Sequence, residues 1–254
     1  MEFVNQGLPS KLRELLIPLS LHEEFVIREI FLGIAKKADS QLSESDIGLF
    51  LETLASAGLL RSVGDGIYQI HPTLTRFLKS TISENPSLIE LWTRSFAYVM
   101  GTIADQNASK QFHEQRTIFH LLGSSLLSAL EKSRNLKMET DIAALTQSLA
   151  LYAKNNRNWS EAENLFGQLA EQSSEIGNDA LLASTYHQLG IIAQERRDFE
   201  TAERWYLKSL KIKEQSGDEH AAAITYHQPG RIAELRRDFE TAERWYLKLS
   251  LIHI

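Results

Sequence analysis

The chain has 254 residues, 43% of them hydrophobic and 24% charged, with 27 basic against 33 acidic side chains and a net charge of −6. That composition suits a globular protein of two domains, and the acidic balance argues against nucleic acid as a partner. No cysteine is present, which excludes a disulfide framework, thiolate catalysis and zinc-finger sites. No run approaches the ~20 apolar residues a membrane helix needs, and Met1–Gln6 lacks the basic and apolar regions of a signal peptide. A cytoplasmic protein without membrane contact is expected.

The first eighty residues read as short helices and a hairpin. Pro9 to Leu19 is predicted as a helix with Pro18 near its end, and Val26 to Ala38 as a second, with Ile27, Ile30, Phe31 and Ile34 on one face. Ser43 followed by Asp46 has the capping-box spacing and opens a third, carrying Ile47, Phe50, Leu51 and Leu54 inward. Leu59–Val63 and Ile67–Ile70 flank Gly64, Asp65 and Gly66, a strong hairpin signal. A helix from Thr73 to Ile82 follows. Three helices, a hairpin wing and a further helix make a winged-helix domain over residues 1–84.

Winged helices often read DNA, through Arg, Lys, Asn or Gln at base edges and cations at phosphates. The third helix instead offers Glu44, Asp46 and Glu52, with no basic residue between Leu42 and Leu60. Phosphates repel such a helix.

Three segments of this domain resemble the winged-helix domain of STAND-type (NB-ARC-like) signalling ATPases: Leu15–Leu21, Ala57–Arg61 ahead of the wing, and Tyr68–Pro72. The resemblance implies a nucleotide-binding domain ahead of the winged helix and repeats behind it. It also implies a nucleotide-sensing role for His71. The family's Met and Asp flanking that histidine are Ile70 and Pro72 here, and no Gly-x-x-x-x-Gly-Lys-Ser/Thr phosphate loop occurs in the chain.

Residues 85–139 are expected to bridge the domains as a helical pair, Leu88–Thr102 and Gln111–Glu131, split by Asp105–Ser109. His113 and His120 share a helix face, but no further ligand stands at metal spacing.

From residue 140 the chain repeats itself. Residues 196–208 recur letter for letter at 236–248, and the copies align with a constant offset of 40. A diverged copy, Asn158–Phe166, lies 40 residues before Asp198–Tyr206. A fixed period of this size signals a solenoid of stacked helical units. Asp198 and Asp238 stand at N-cap positions with Glu200 and Glu240 in the first turn. Gly190 and Ala202 fall where paired helices must approach closely. Trp205 with Tyr206, and Trp245 with Tyr246, read as stacking core. The order aromatic, Leu-Gly, Ala, Tyr resembles the tetratricopeptide repeat, with the excess over 34 residues assigned to a longer inter-repeat turn at Gln215–Glu219. About three repeats fit in 140–254, the last truncated.

In that repeat type the first helix of each unit lines a concave wall. Counting from Gly190 and Gly230 puts Ser184, His187, Ile191, Gln194 and Glu195 on it in one copy. Ile224, His227, Arg231, Glu234 and Leu235 follow in the next. Two features break the pattern. Pro229 stands inside a helix where the earlier copy has Leu189, and Leu249–Ile254 departs from the repeat and reads as a translated sequencing-library adapter.

The whole is therefore expected to be mainly α: a winged helix followed by an αα-superhelix of tetratricopeptide type. Nothing in it forms a catalytic constellation, so a non-enzymatic interaction and sensor module of a bacterial STAND-like protein is expected. Its partner is a protein or peptide on the concave face, with self-association through the truncated last repeat and no cofactor or metal. The alternatives are a free-standing scaffold or adaptor, and a winged-helix transcription regulator.

Overall fold

The computed structural model describes residues 8–38, 41–81 and 85–252. Met1–Gln6 lies outside them, as do the side chains of Leu249–Ile254 and the end of the helix expected to reach Ile82. The described residues are mainly helical, and the chain divides into two compact units, Met1–Ser148 and Leu149–Ile254.

The first unit opens with α1 (Ser10–Arg13) and α2 (Leu16–Leu21), then β1 (Phe25–Ile27), α3 (Arg28–Ala38), α4 (Glu44–Ser56), β2 (Leu60–Gly64), β3 (Ile67–Ile70) and α5 (Pro72–Thr81). The helix expected over Pro9–Leu19 is interrupted at Glu14 and Leu15, and Pro18 then sits in the first turn of α2, where its missing N–H costs nothing. The second predicted helix starts two residues late. Val26 and Ile27 are strand, because they pair with Tyr68 and Ile67 of β3. The β-branched pair gains a ladder and buries both side chains, which a frayed helix end would not.

The sheet is antiparallel in the order β1-β3-β2. Asp65 and Gly66, with φ of 48° and 71°, make the two-residue turn, and Gly64 pairs with Ile67 next to a bulge after Ser62. α4 starts on the expected capping box: Ser43 accepts from the Asp46 amide, and Asp46 accepts from the Ser43 amide at 2.9 Å. Those hydrogen bonds, with Lys11 beside them, lower the Asp46 pKa to about 2. The core includes Phe31 stacked on Phe50 at 5.8 Å, with Ile34, Ile47, Leu51 and Leu54 around them.

α6 (Pro86–Ala108) and α7 (Phe112–Asn135) belong to this unit, α6 lying on α3 with Gly33 near Val99. The break between them is shorter than expected. Asp105 to Ala108 stay helical, since Asn107 donates to the Ile103 carbonyl, and only Ser109–Gln111 turn.

From α8 onward the geometry is strictly periodic. Helices α8 (Glu139–Asn155), α9 (Trp159–Glu175), α10 (Asp179–Glu195), α11 (Phe199–Gln215), α12 (Glu219–Leu235) and α13 (Phe239–Ile252) begin every 20 residues. Each three-residue link holds one left-handed residue, at Arg157, Gly177, Arg197, Gly217 and Arg237. The closing bonds repeat too. Arg197 donates to the Gln194 carbonyl and Asp198 to the Ala193 carbonyl, a Schellman end. The residue that closes one helix caps the next, as Asp198 Oδ1 accepts from the Thr201 amide at 3.1 Å.

This corrects the expected long turn. Gln215 ends α11 and Glu219 starts α12, so the link between repeats is no longer than the link within one. The residues beyond 34 lengthen the helices to 17 each. Pro229 lies within α12, which continues to Leu235 around it.

Candidate functional site

Within the second unit, the first helices of the two matching repeats, α10 and α12, are each held by ring contacts at two consecutive positions. Tyr186 stacks on Trp205 at 5.3 Å and His187 leans on Tyr206 at 5.3 Å; Tyr226–Trp245 and His227–Tyr246 repeat the arrangement. Tyr206 is fully buried, as expected of core, and Lys208 covers the exposed side of Trp205 at 4.4 Å. The close approach is enforced by glycine. A Cβ at Gly190 would lie 2.6 Å from the Tyr206 ring, and one at Gly230 2.6 Å from Tyr246.

These contacts fix the wall that the sequence proposed as a binding surface. His187 is half-buried, and its Nδ1 lies 3.2 Å from Thr225 Oγ1 on the next repeat. Burial first, then the charges of Lys213 and Lys154, lower its pKa to about 4, so the imidazole is neutral. Gln194 is not an open wall residue. It is 9% exposed, and its carbonyl oxygen accepts from the Tyr206 hydroxyl at 3.3 Å. Ser184 and Ile191 are half-buried, and Ile191 packs on the Ala193–Ala202–Tyr206–Ile232 cluster. Glu195, His227, Arg231, Glu234 and Leu235 are exposed, and Ile224 keeps 52% of its surface. Arg231 and Glu195 both act on the Tyr206 hydroxyl, so His187, Gln194, Glu195 and Arg231 converge around one ring.

Sequence reading missed two lysines here. Lys154 donates to Gln188 Oε1 at 2.8 Å, and Lys213 donates to Thr225 Oγ1 at 2.8 Å; burial lowers the pKa of both. Counting back one 40-residue period from Gln194 reaches Lys154, so that signal was present. Lys213 replaces the small Ser173 of the previous copy, and nothing in the pattern marks it. The proposed wall thus carries ammonium and guanidinium donors as well as carboxylate acceptors. No group of three metal-ligating side chains occurs among the described residues, and no described helix is long and apolar enough to cross a membrane.

His71 is elsewhere, exposed at the start of α5. Its backbone N–H donates to the Leu59 carbonyl and its Nδ1 accepts from the Thr73 amide at 3.3 Å. It is thus an N-cap in the first unit.

Residues 141–215 and 181–249 match the family model of the tetratricopeptide repeat. This stretch is a tetratricopeptide array. No curated protein matches the chain. Among solved structures, BtubC from P. vanneervenii is similar at 17% identity, covering 82% of this chain and 79% of that one, with a TM-score of 0.49. A STAND protein with a tetratricopeptide repeat sensor from Pyrococcus horikoshii is similar at 14% identity and a TM-score of 0.46. It is covered over 52% of its length, by 99% of this chain. Aspartyl phosphate phosphatase F from Bacillus subtilis is similar at 15% identity and a TM-score of 0.41, with 97% of this chain and 76% of that one covered.

Proposed function

We propose that the tetratricopeptide array is a non-enzymatic protein-interaction module whose partner, a protein or peptide, lies along the wall formed by the first helices of the repeats. One observation carries this reading. Between residues 183–208 and 223–248 the copies differ only at 184, 189, 191, 194 and 195, and four of those five positions belong to the wall. With the turns constant and the core changed only at 189/229, the concentration of change on one face marks a surface tuned for contact. Buried Gln194 narrows that surface to Glu195, Ile224, Arg231, Glu234 and Leu235, with half-buried His187 and Lys154 beneath.

The wider assignment is the sensor part of a STAND-like bacterial signalling protein in the cytoplasm. It rests on the sequence resemblance of residues 15–21, 57–61 and 68–72. The element order helix, strand, helix, helix, hairpin, with β1 against β3, supports the winged-helix reading of the first unit. His71 capping α5 is compatible with a sensing role only if a nucleotide domain meets that exposed edge. A free-standing adaptor uses the same wall. A DNA-reading regulator is disfavoured because α4 presents Glu44, Asp46 and Glu52.

Panning a displayed peptide library on the full chain tests the wall. Selected peptides should lose binding to Arg231→Ala and to His187→Ala, and keep binding to Glu171→Ala on α9. Peptides indifferent to both wall changes would remove the assignment.

A further inference from the structure

A groove of about 710 Å³ lies inside the array, between the second helices of two successive repeats, α9 and α11, with Tyr186 and Leu189 of α10 at its base. A further repeat, α12 and α13, follows these three helices in the chain. Small residues open the groove. A Cβ at Gly167 would meet nothing within 4 Å, and Ala170 stands one turn on. The copy 40 residues later has Leu207 and Leu210 at those two positions, although its aromatic pair, Tyr226 and Trp245, is the same as Tyr186 and Trp205. The space beside the aromatic pair is therefore a choice made by the sequence of α9.

The charge of the groove departs from the copy in the same place. Glu175 ends α9 and Glu171 stands one turn earlier, where the copy has Gln215 and Lys211. Both glutamates are exposed, and neither forms an ion pair among the described residues. Glu163, the third carboxylate of the groove, accepts from Arg196 Nη1 at 2.6 Å. Carboxylates one turn apart repel each other, and the end of a helix is the negative pole of its dipole, which favours cations. The last turn of α9 has none. A local rule broken with nothing in the chain to offset it is characteristic of a functional site. The aromatic side of the groove is suited to the same ligand charge. Tyr186 and Trp205 stack at 5.3 Å, and an ammonium already rests on them, Lys208 Nζ lying 4.4 Å from the Trp205 ring and 5.4 Å from that of Tyr186.

We propose that this groove takes an arginine-bearing segment of a partner protein. The guanidinium stacks against the Tyr186–Trp205 pair and its N–H fork donates to Glu171 and Glu175, two kinds of contact that the planar group makes at once. The space left by Gly167 and Ala170 admits the side chain's stem. The groove shares no residue with the wall, so either proposal can fail alone.

The test uses the full chain and a defined probe, fluorescein-labelled Gly-Ser-Arg-Gly-Arg-Ser-Gly, followed by fluorescence anisotropy. Binding should be saturable, and absent for the same peptide with glutamine in place of both arginines. Glu171→Lys should weaken it roughly fivefold, at the upper end for an exposed ion pair. Glu131→Lys on α7, in the first unit, changes the net charge equally and should leave the affinity unchanged. Gly167→Leu installs the residue of the later copy and should abolish binding without lowering the melting temperature, since leucine is the better helix former. No saturable binding, binding that Gly167→Leu leaves intact, or an equal loss from Glu131→Lys and Glu171→Lys overturns the proposal. Loss on Arg231→Ala would put the peptide on the wall and overturn it as well. Sedimentation in which parent chains self-associate and Gly167→Leu disperses them would give the groove to a second copy instead.

Discussion

Two positions show how single residues set the stability of each unit. His22 is fully buried between Phe31 at 5.9 Å and Phe96 at 5.1 Å, with no well-formed hydrogen bond at either ring nitrogen. Burial lowers its pKa from 6.5 to about 4, a weak contact to the Phe25 backbone offsetting part of the effect. The unfolded imidazole takes up a proton near 6.5 and the folded one only near 4. Between those values the unfolded state holds more protons, so stability falls as pH drops through the window and levels off below it. The loss from pH 7 to 4.5 is about 2 kcal/mol for this group. His187, also near 4, adds a smaller, solvent-screened share. Urea unfolding of His22→Phe should lose about 2 kcal/mol less than the parent over that interval, and an unchanged pH dependence would contradict the assignment. At Gly190 the constraint is space. Alanine raises helix propensity by about 1 kcal/mol, yet its Cβ meets a fully buried ring at 2.6 Å. Overpacking of about 1–3 kcal/mol outweighs that gain, so Gly190→Ala should lower the melting temperature.

At the scale of elements, the repeat was legible because identity at a fixed offset needs no physics to detect. The caps were legible because Ser43, Asp198 and Asp238 stand directly before apolar periods. What escaped has physical reasons. β1 is three residues long, and its strand character comes from pairing with β3, forty residues away. The inter-repeat turn was misjudged because Arg197 and Arg237 adopt the left-handed conformation that glycine takes at 177 and 217. A glycine-based reading therefore sees two kinds of link where there is one. On the proposed wall, spacing could not show that the Tyr206 hydroxyl reaches Gln194. Pro229 tests the element view directly. It removes the hydrogen bond to the Thr225 carbonyl inside a helix of otherwise repeated sequence, a cost of roughly 3 kcal/mol. Pro229→Leu restores the residue of the earlier copy, and calorimetry should show a higher melting temperature for the repeat unit. No rise would mean that α12 accommodates the proline without strain.

For the whole molecule, an array of stacked repeats is a sum of local stabilities and neighbour contacts, and it frays from whichever end lacks a partner. The α10–α11 repeat has neighbours on both sides and an intact first helix. The α12–α13 repeat has α11 on one side only among the described elements, a proline in its first helix, and Phe239, Leu235 and Leu247 open to solvent. These defects act in the same direction, and local opening should reflect them. Amide hydrogen exchange should therefore be faster across residues 219–248 than across 179–215, by about a hundredfold if the proline contributes its ordinary ~3 kcal/mol. Pro229→Leu should close most of that gap. Equal protection of the two stretches in the unmodified chain would refute this order of stabilities.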